Sequence, residues 1–475
     1  MMTLAQAAAD LVAQGIAAQL RGDGATALHG VSIDTRTLAP GSLYVALRGE
    51  RFDGHDFAAA AVQAGAVALL GEMAMAPPIA QIIVPDAHAA LGALGAAWRR
   101  RHVLPLIAVT GSNGKTTTTQ MIAAILAAAY GTQDGQDCWF ATRGNRNNEI
   151  GVPLMLLELR ARHRAAVLEL GMNHPGEIAR LSLWVRPDIA LVTNAQREHQ
   201  EFLDSVEATA RENGAVIEAL GPSGTAVFPA DDACAPLWRA RAGSRRVVDF
   251  ALTGPAAVRA EAAVGPQAST LLLHAASGSW ELQLALGGRH NAHNALAAAA
   301  ACLAAGIPGA AIAAGLAAFR PVGGRGTRRA GRHGAVLIDE TYNANPDSVR
   351  AAIDLLASHG GWRVLVLGDM GEVGAQGAAF HAEIGAYARA RGIERLLALG
   401  ELSAHAVAAF GPGARHCAAI EELIGAADAL AASTSPATVL VKGSRFMRLE
   451  RVVAALAAAE AGAPTTEAAT PPLHA

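Results

Sequence analysis

The sequence predicts an α/β protein with three domains in succession, and three observations carry this prediction. The chain has 475 residues, which is enough for about two to four domains of ordinary size. Short apolar strand patterns alternate with helix patterns over most of the chain, as in parallel sheets covered by helices. A segment rich in Pro and Gly at 320–326 interrupts this alternation, which then restarts.

The central domain is predicted to span 103–319 and to contain a parallel sheet. Leu106–Thr110 is predicted to be a buried strand, followed by a glycine turn and a helix from Thr116 to about Tyr130. Two further strands are predicted at 165–170 and 189–193. The uncharged run 291–319 is long enough to cross a bilayer, but Gly and Pro residues break it. We therefore expect two packed, Ala-rich helices there.

Smaller α/β patterns flank this central region. Residues 1–102 are predicted to form a small domain with strands at 42–47 and 82–84 and helices at 57–70 and 87–100. Residues 320–458 are predicted to form a Rossmann-like domain. Its strands are expected at 335–339, 364–368, 396–400 and 439–442, and its helices at 346–359 and 378–391. Residues 459–475 lack periodicity and are expected to be disordered.

Composition excludes several classes of function. The formal net charge of -3 argues against a nucleic-acid coat or a polybasic membrane patch. The first ten residues have no basic region ahead of an apolar stretch, so no secretory signal is predicted. The four cysteines are far apart, which favours a reducing cytoplasm over a disulfide framework or a zinc site.

Only two of the 38 basic residues are lysines, Lys115 and Lys442. Such a skew is typical of a codon-composition bias. Where arginine replaces lysine almost everywhere, a surviving lysine indicates a position at which a compact point charge is needed and a planar guanidinium is unsuitable.

A phosphate-binding loop is predicted between the strand and the helix of the central domain, at Thr110-Gly111-Ser112-Asn113-Gly114-Lys115-Thr116. Glycines allow backbone N–H groups to turn toward phosphate oxygens, and the helix N-terminus adds positive potential. A lysine can neutralise the β- and γ-phosphates, and a threonine hydroxyl can reach Mg²⁺. Val109 stands where the strict pattern has its first glycine, so the loop is a shortened form.

This shortened loop resembles that of the Mur ligases, ATP-dependent amide-forming enzymes of peptidoglycan precursor synthesis, and of their folylpolyglutamate synthetase relatives. Further segments resemble the family in the expected order between about residues 30 and 455. They are Ser32–Arg36, Leu47–His55, Ala141–Pro153, Glu169–Met172, Thr193–Asn194 with His199, Gly288–Asn294, Asp339–Ser348 and Lys442–Arg445.

The resemblance implies ATP and Mg²⁺ as cofactors, and UDP-N-acetylmuramoyl-tripeptide and D-alanyl-D-alanine as substrates. The strings Gly144–Gly151 and Thr341–Ser348 resemble the family member that joins these two, and no Asp-Asn-Pro-Arg motif for a diaminoacid is present. The enzyme is expected to be a cytoplasmic monomer. Whether the tripeptide ends in L-lysine or meso-diaminopimelate stays open.

The resemblance also assigns roles to residues. ATP is expected to contact Gly111, Ser112, Asn113, Gly114, Lys115, Thr116 and Thr117 with its phosphates, and Asn291, Asn294, Arg325 and Asp339 elsewhere. The expected catalytic residues are Lys115, Glu169 and His199, with Thr116, Glu169 and His199 on Mg²⁺. Substrates are expected at Ser32, Arg36, Thr142, Asn145, Asn148, Tyr342, Asn343, Asn345, Lys442 and Arg445. A solvated strand-end carboxylate at Glu169, a solvated His199 and helix capping by the two asparagines are the structural alternatives.

One position departs from the family. Many Mur ligases carry a carbamylated lysine about a dozen residues after the metal-binding histidine, and Asn213 stands there in this chain. Because no lysine lies between 115 and 442, a carbamate cannot form at that site. We expect Glu212 to present its carboxylate to Mg²⁺ instead, and a water in the carbamate's place is the alternative.

Two other functions are weighed against this one. A folylpolyglutamate synthetase would need no uridine-nucleotide domain, yet about 100 residues precede the phosphate loop. A P-loop ATPase that drives binding or movement would need neither a second Rossmann-like pattern nor the Asp339–Ser348 string. Phosphate release with and without both substrates separates these possibilities.

Overall fold

The computed structural model describes residues 1–434 and 436–458. Within them, helices cover four sheets of four or more strands, and the three largest sheets are mainly parallel. The predicted α/β class is therefore confirmed. The segment 459–475, predicted to be disordered, lies outside the described residues.

The N-terminal part contains a five-stranded sheet in the order β2-β7-β6-β5-β4. Strands β4 to β7 are parallel, and β2 pairs antiparallel with β7. The strands are β1 (Met2–Thr3), β2 (Gln19–Arg21), β3 (Ala27–Leu28), β4 (Gly30–Ser32), β5 (Ser42–Val45), β6 (Ala68–Gly71) and β7 (Ala80–Ile83). The helices are α1 (Leu4–Ala13), α2 (Ala58–Gln63) and α3 (Ala87–Arg99).

The helix predicted at 57–70 is wrong over its second half. Helix α2 ends at Gln63, and Ala68–Gly71 forms the central strand β6. Gly65 has φ +105°, a conformation that ends the helix and turns the chain into the sheet. Residues 64–70 are Ala, Val and Leu apart from Gly65, so periodicity alone could not separate the two elements.

The central part is built on six parallel strands in the order β11-β12-β8-β13-β14-β15. Three of these strands and helix α4 confirm the predicted elements. The strands are β8 (Leu106–Thr110), β9 (Thr132–Gln133), β10 (Gln136–Asp137), β11 (Phe140–Ala141), β12 (Ala166–Glu169), β13 (Ile189–Val192), β14 (Thr225–Val227) and β15 (Arg246–Val247). The helices are α4 (Lys115–Tyr130), α5 (Gly151–Leu157), α6 (Glu177–Val185), α7 (Val206–Glu218) and α8 (Ala235–Ala242).

A four-stranded, mostly antiparallel sheet follows, which the sequence did not predict. Its strands are β16 (Phe250–Ala251), β17 (Val258–Val264), β18 (Ser269–Ala275) and β19 (Gly278–Leu284). The Ala-rich run forms the two predicted helices, α9 (Arg289–Ala304) and α10 (Gly309–Ala318). Among the described residues, no helix has the length and apolar character needed to cross a bilayer.

The C-terminal part has a six-stranded sheet in the order β20-β21-β25-β22-β23-β24, parallel except for β20. The strands are β20 (Thr327–Ala330), β21 (Val336–Glu340), β22 (Trp362–Gly368), β23 (Arg395–Leu399), β24 (Ala414–Cys417) and β25 (Ala437–Lys442). The helices are α11 (Pro346–Ala357), α12 (Gly377–Ala390), α13 (Ser403–Phe410), α14 (Ile420–Ser433) and α15 (Glu450–Leu456).

The apolar cores separate the C-terminal part from the rest. One core runs from the N-terminal sheet into the central sheet, and helix α3 lies inside it. A second core joins the central sheet to the antiparallel sheet and to α9 and α10. The cores of the C-terminal part contain residues from 335 onward only. We propose 1–102, 103–319 and 320–458 as domains, of which the first two share a core.

Candidate active site

The phosphate loop joins the end of β8 to the start of α4, at the carboxyl edge of the central sheet. Gly111 has φ +129° and Gly114 has φ +81°, values that favour glycine strongly. A Cβ on Gly114 would lie 2.2 Å from Asn294 Oδ1 at the start of α9. The loop and α9 therefore approach each other closely, and Asn294 faces the loop.

Lys115, the first residue of α4, is folded back over its own loop. Its Nζ donates to Gly111 O at 2.6 Å, to Ser112 O at 3.0 Å and to Glu198 Oε1 at 2.7 Å. The Lys115 ammonium is thus held within the turn by two carbonyls and one carboxylate. These contacts are exchangeable, because an incoming phosphate can replace each acceptor.

Side chains that follow β13 hold the phosphate loop in shape. Asn194 accepts from Asn113 N at 2.9 Å and donates to Asn113 O at 2.9 Å. Thr193 Oγ1 also donates to Asn113 O, at 2.8 Å. On helix α7, the fully buried Asn213 accepts from Thr110 Oγ1 at 2.6 Å and from Gly111 N at 2.9 Å. The loop is therefore preorganised by side chains from two other elements.

Glu169 ends β12, next to the end of β8. It is buried, its amide donates to Thr142 Oγ1 at 2.9 Å, and its Oε1 accepts from Asn147 Nδ2 at 2.7 Å. A solvated strand-end carboxylate is thus not what the structure shows. Thr116, at the start of α4, is also buried. A carboxylate and a hydroxyl at this sheet edge are oxygen donors of the kind that Mg²⁺ prefers.

His199 lies on the loop after β13 and is buried, with φ +52°. Its Nε2 is 3.5 Å from Glu198 Oε1, and its Nδ1 is 2.6 Å from Glu372 Oε2 in the C-terminal part. Burial lowers the pKa of His199, but the two carboxylates outweigh burial and raise it to about 9. The imidazole therefore lies where the central and C-terminal parts meet and is not solvated.

The C-terminal part meets the phosphate loop through a pair of asparagines. Asn345 Nδ2 donates to Asn113 Oδ1 at 2.9 Å, and Asn113 Nδ2 donates to Asn345 Oδ1 at 3.2 Å. Asn345 also caps α11 by accepting from Ser348 N at 2.9 Å. The first turn of α11 is thereby fixed against the loop.

Other predicted residues of the C-terminal part surround this contact. The Arg325 guanidinium lies 3.7 Å from the centroid of the Tyr342 ring. Asp339 is buried and accepts from Thr341 Oγ1 at 2.7 Å. Lys442 Nζ donates to Asn343 O at 2.9 Å, and burial lowers the pKa of this lysine. Arg445 is exposed and lies 3.5 Å from Glu450.

Several predicted residues have local hydrogen-bond partners. Asn291 Nδ2 donates to Gly287 O at 2.8 Å, and Asn148 Oδ1 accepts from Gly151 N at 2.8 Å at the start of α5. Asn145 Oδ1 is within 3.3 Å of Asn147 Nδ2. In the N-terminal part, Ser32 Oγ donates to Asp34 O, and Arg36 pairs with the Asp34 carboxylate. The nucleotide-binding role of Asn291 and the substrate-binding roles of the other residues stay predictions.

The expectation for Glu212 is corrected by the structure. Its Oε2 accepts from Gly176 N at 2.9 Å and its Oε1 accepts from Ile178 N at 3.0 Å, so the carboxylate caps helix α6. Adjacent helix positions differ by about 100° in direction, which sends Asn213 to the phosphate loop and Glu212 to α6. Both Glu212 oxygens are occupied by backbone donors there.

Three residues of this site escaped the sequence analysis: Arg197, Glu198 and Glu372. Glu198 Oε2 is buried with no hydrogen-bond partner among the described residues. A buried carboxylate oxygen without a donor is a suitable contact for a bound cation. Thr116, Glu169, Glu198 and His199 are donors of the kinds that a divalent cation takes, but the described residues form no cluster of three or more His, Cys, Asp or Glu side chains, so nucleotide phosphate oxygens would have to complete such a site. The signal that could have found Glu198 is its position next to a histidine after a buried strand.

Comparison with known sequence families places the chain in one family. The Mur ligase middle domain matches residues 109–302, the Mur ligase glutamate ligase domain matches 324–445, and the Mur ligase family catalytic domain matches 27–100. The chain belongs to the Mur ligase family. The phosphate loop and the site around it lie within or between the matched regions.

Individual relatives share one more specific name. The UDP-N-acetylmuramoyl-tripeptide–D-alanyl-D-alanine ligase of Escherichia coli is 41% identical, covering 90% of this chain and 94% of that protein. The ligase of the same name from Haemophilus influenzae is 34% identical, covering 94% and 97%. The crystal structure of MurF from Acinetobacter baumannii matches with a TM-score of 0.84 and 34% identity, covering 90% and 93%.

Proposed function

We propose that this protein joins D-alanyl-D-alanine to UDP-N-acetylmuramoyl-tripeptide with hydrolysis of ATP to ADP and phosphate. The observation that carries the proposal is the Asn113–Asn345 contact, through which the phosphate loop faces the C-terminal part. A nucleotide bound at the loop would thus have its phosphates at the meeting point of two domains. The similarity over nine-tenths of the chain to relatives named UDP-N-acetylmuramoyl-tripeptide–D-alanyl-D-alanine ligase supports the same two substrates.

The chemistry requires a carboxylate to become a better acyl donor. The terminal carboxylate of the tripeptide attacks the γ-phosphorus, ADP leaves, and an acyl phosphate results. The amine of D-alanyl-D-alanine then attacks the acyl carbon, loses a proton, and phosphate leaves as the amide forms. The first step brings two anions together, so the protein must supply positive charge and alignment.

The residues of the phosphate loop can meet this requirement. Lys115 would exchange its carbonyl and carboxylate acceptors for β- and γ-phosphate oxygens, and the loop N–H groups and the start of α4 would hold the other oxygens. A Mg²⁺ ion held by Thr116, Glu169 and the deprotonated form of His199 would supply further neutralisation of the phosphates. Asn147 keeps the Glu169 carboxylate oriented before the ion arrives.

The C-terminal part would supply the second substrate's site and the far side of the nucleotide. Tyr342, Asn343 and Asn345 lie on the segment that carries the contact to Asn113, which suits them to position the attacking amine. Lys442, at the end of β25, is buried and donates to Asn343 O on this segment. Arg325 and Asp339 would reach the nucleotide, and Ser32 and Arg36 would hold the uridine end.

We also propose that the enzyme acts as a monomer in the cytoplasm with Mg²⁺ as its ion. The test of the function is phosphate release from ATP, followed with each substrate alone and with both. Release that requires both substrates, with a pentapeptide product of the expected mass, is the predicted result. Equal release with ATP alone would identify an ATPase, and release with a folate and glutamate would identify a folylpolyglutamate synthetase.

A further inference from the structure

We propose that Glu198 is a ligand of the divalent cation that accompanies ATP in this site. The inference rests on the proposed function, because it assumes that ATP binds at the phosphate loop. It adds a carboxylate that lies directly between the phosphate-loop lysine and His199. No other acidic side chain described above lies within 3 Å of Lys115 Nζ, whereas Glu198 Oε1 lies at 2.7 Å.

The burial of Glu198 is the first observation. Only 8% of the residue is exposed, and one of its two carboxylate oxygens, Oε2, is buried with no hydrogen-bond partner in the described part of the chain. A buried ionised carboxylate normally has its oxygens bonded, because leaving one unpaired costs free energy. Oε2 is therefore an acceptor in need of a positive partner.

The position of Lys115 supplies the second observation. Lys115 pairs with Glu198 Oε1 here, but the same ammonium is needed by the nucleotide phosphates. Once Lys115 turns to a phosphate, the Glu198 carboxylate loses its ammonium partner close to that anion, and His199 Nε2, 3.5 Å from Oε1, does not pair with Oε2. Repulsion between the two anions follows unless a cation lies between them, and a carboxylate oxygen is a preferred Mg²⁺ ligand.

The neighbouring candidates cannot take this role as they stand. Asn213 is neutral, and its amide oxygen already accepts from Thr110 and Gly111. Glu212 has both oxygens on the backbone of α6. The described residues form no cluster of three or more His, Cys, Asp or Glu side chains that could hold a metal ion by themselves. The cation site is thus completed by nucleotide phosphate, with Glu198 as a protein ligand.

The test measures cation binding rather than turnover. The full chain is saturated with the β,γ-methylene analogue of ATP, and Mn²⁺ is titrated while free Mn²⁺ is followed by electron paramagnetic resonance. Glu198→Gln keeps the size of the side chain and removes its charge. We expect the Kd for Mn²⁺ to rise about tenfold or more, because removal of even an outer partner of a metal ligand commonly costs that much.

Two variants and one further measurement make the result decisive. Glu201→Gln changes an exposed carboxylate in the same loop and should leave Mn²⁺ binding as in the unmodified protein. Glu212→Gln tests the alternative carboxylate. Analogue binding in EDTA should be equal or tighter in Glu198→Gln, since a charge facing the phosphates is lost. Circular dichroism and thermal unfolding confirm that each variant is folded.

The inference is overturned if Glu198→Gln leaves the Kd for Mn²⁺ within about twofold of the unmodified protein. It is also overturned if Glu212→Gln alone weakens Mn²⁺ binding. If phosphate release requires both substrates but either of these results is found, the proposed function stands and Glu198 is not a ligand. If Mn²⁺ binding depends on Glu198 but phosphate is released from ATP alone, the proposed function is wrong and Glu198 is still a ligand.

Discussion

Arg197, on the loop after β13, forms an ion pair with Asp347 in the first turn of α11, which we call the Arg197 clasp. Its Nη2 donates to Asp347 Oδ1 at 2.6 Å, and its backbone N donates to Asp347 Oδ2 at 2.9 Å. The same guanidinium donates to Glu383 of α12 through Nη1 at 2.7 Å. The carboxylates of Asp347 and Glu383 raise the pKa of Arg197, so it is charged at any working pH. Arg197 therefore ties the central part to two helices of the C-terminal part.

Loss of the Arg197 clasp should impair the alignment of the second substrate's site with the phosphate loop more than it impairs nucleotide binding. Arg197→Gln removes the guanidinium bonds to Asp347 and leaves only the backbone bond, so the start of α11 and the Asn345 contact to the phosphate loop should be held less firmly. We expect kcat/KM for D-alanyl-D-alanine to fall about tenfold, equivalent to about 1.4 kcal/mol, while the Kd for an ATP analogue changes little. Steady-state kinetics and calorimetric titration measure the two quantities.

Arg350→Gln is the matched control for the clasp. Arg350 also donates to Glu383, at 2.9 Å, but both residues belong to the C-terminal part. Its substitution should leave kcat/KM within about twofold of the unmodified enzyme. A double-mutant cycle of Arg197→Gln with Asp347→Asn should show clear coupling. Additive effects, or equal losses in Arg197→Gln and Arg350→Gln, would contradict the clasp.

Lys115→Ala should nearly abolish ligation while the protein stays folded. The ammonium group is the cation nearest to the phosphate loop, and its three acceptors are all groups that phosphate can replace. We expect kcat to fall by about 100-fold or more, since a lost charge contact to a reacting group commonly costs about 3 kcal/mol. Turnover is measured as phosphate release with both substrates present.

Lys115→Arg is the informative second variant at this position. A guanidinium is wider than an ammonium and should not fit the turn between Gly111 O and Ser112 O, so activity should stay low. Turnover of Lys115→Ala within about tenfold of the unmodified enzyme, about 1.4 kcal/mol, would be too small for a lysine that neutralises phosphate.

The sequence was sufficient for elements with strong local signals. The phosphate loop was predicted because a glycine turn between a buried strand and a helix is a local pattern. The central strands were predicted because each is a short, mostly apolar run. Helix α2 and strand β6 merged into one predicted helix, because the apolar run between them has only Gly65 as a break.

The candidate site was only partly predictable for a different reason. Lys115 and Glu169 are marked by their places at strand ends, but Arg197 and Glu372 are defined by contacts across more than 100 positions of the chain. Asn213 contacts the phosphate loop and Glu212 contacts α6. The sequence shows that the two side chains point in different directions from the helix, but it does not show which element lies on each side. Long-range pairing of this kind leaves no pattern in a single sequence.

A chain truncated after residue 325 should fold but lose ligation. The three apolar cores of residues 1–319 contain no residue of the C-terminal part, so their packing does not depend on it. The truncation removes Asn345 and Lys442, and with them the proposed amine site. We expect no phosphate release with both substrates, together with weak binding of UDP-N-acetylmuramoyl-tripeptide measured by calorimetry.

The outcome separates the proposed domain division from its alternatives. Cooperative thermal unfolding of the truncated chain with retained binding would support a shared N-terminal and central core. Full ligation activity without the C-terminal part would contradict the division of labour among the three domains. The matched control is a chain ending at residue 458, which retains every described element and should ligate as the full chain does.

Acid should destabilise the protein through His163, which is buried in the neutral form between α5 and β12. Burial, with nearby Arg162 and Arg160, lowers the pKa of His163 to about 4. Its Nδ1 accepts from Arg160 N at 3.0 Å, which a protonated Nδ1 cannot do. The unfolded chain, with a histidine pKa near 6.5, binds a proton that the folded chain excludes. The contribution of His163 to the free energy of unfolding is therefore fully present above about pH 6.5 and is lost as the pH decreases toward 4.

His163→Gln should remove part of this pH dependence, because a glutamine carbonyl can accept from Arg160 N without titrating. Between pH 7 and pH 5 we expect the free energy of unfolding to fall by about 2 kcal/mol less in His163→Gln than in the unmodified protein. Urea unfolding followed by circular dichroism at the two pH values measures the difference. His405→Gln, which alters an exposed histidine, should show the full loss. Equal losses in all three proteins would mean that His163 is protonated in the folded state by pH 5.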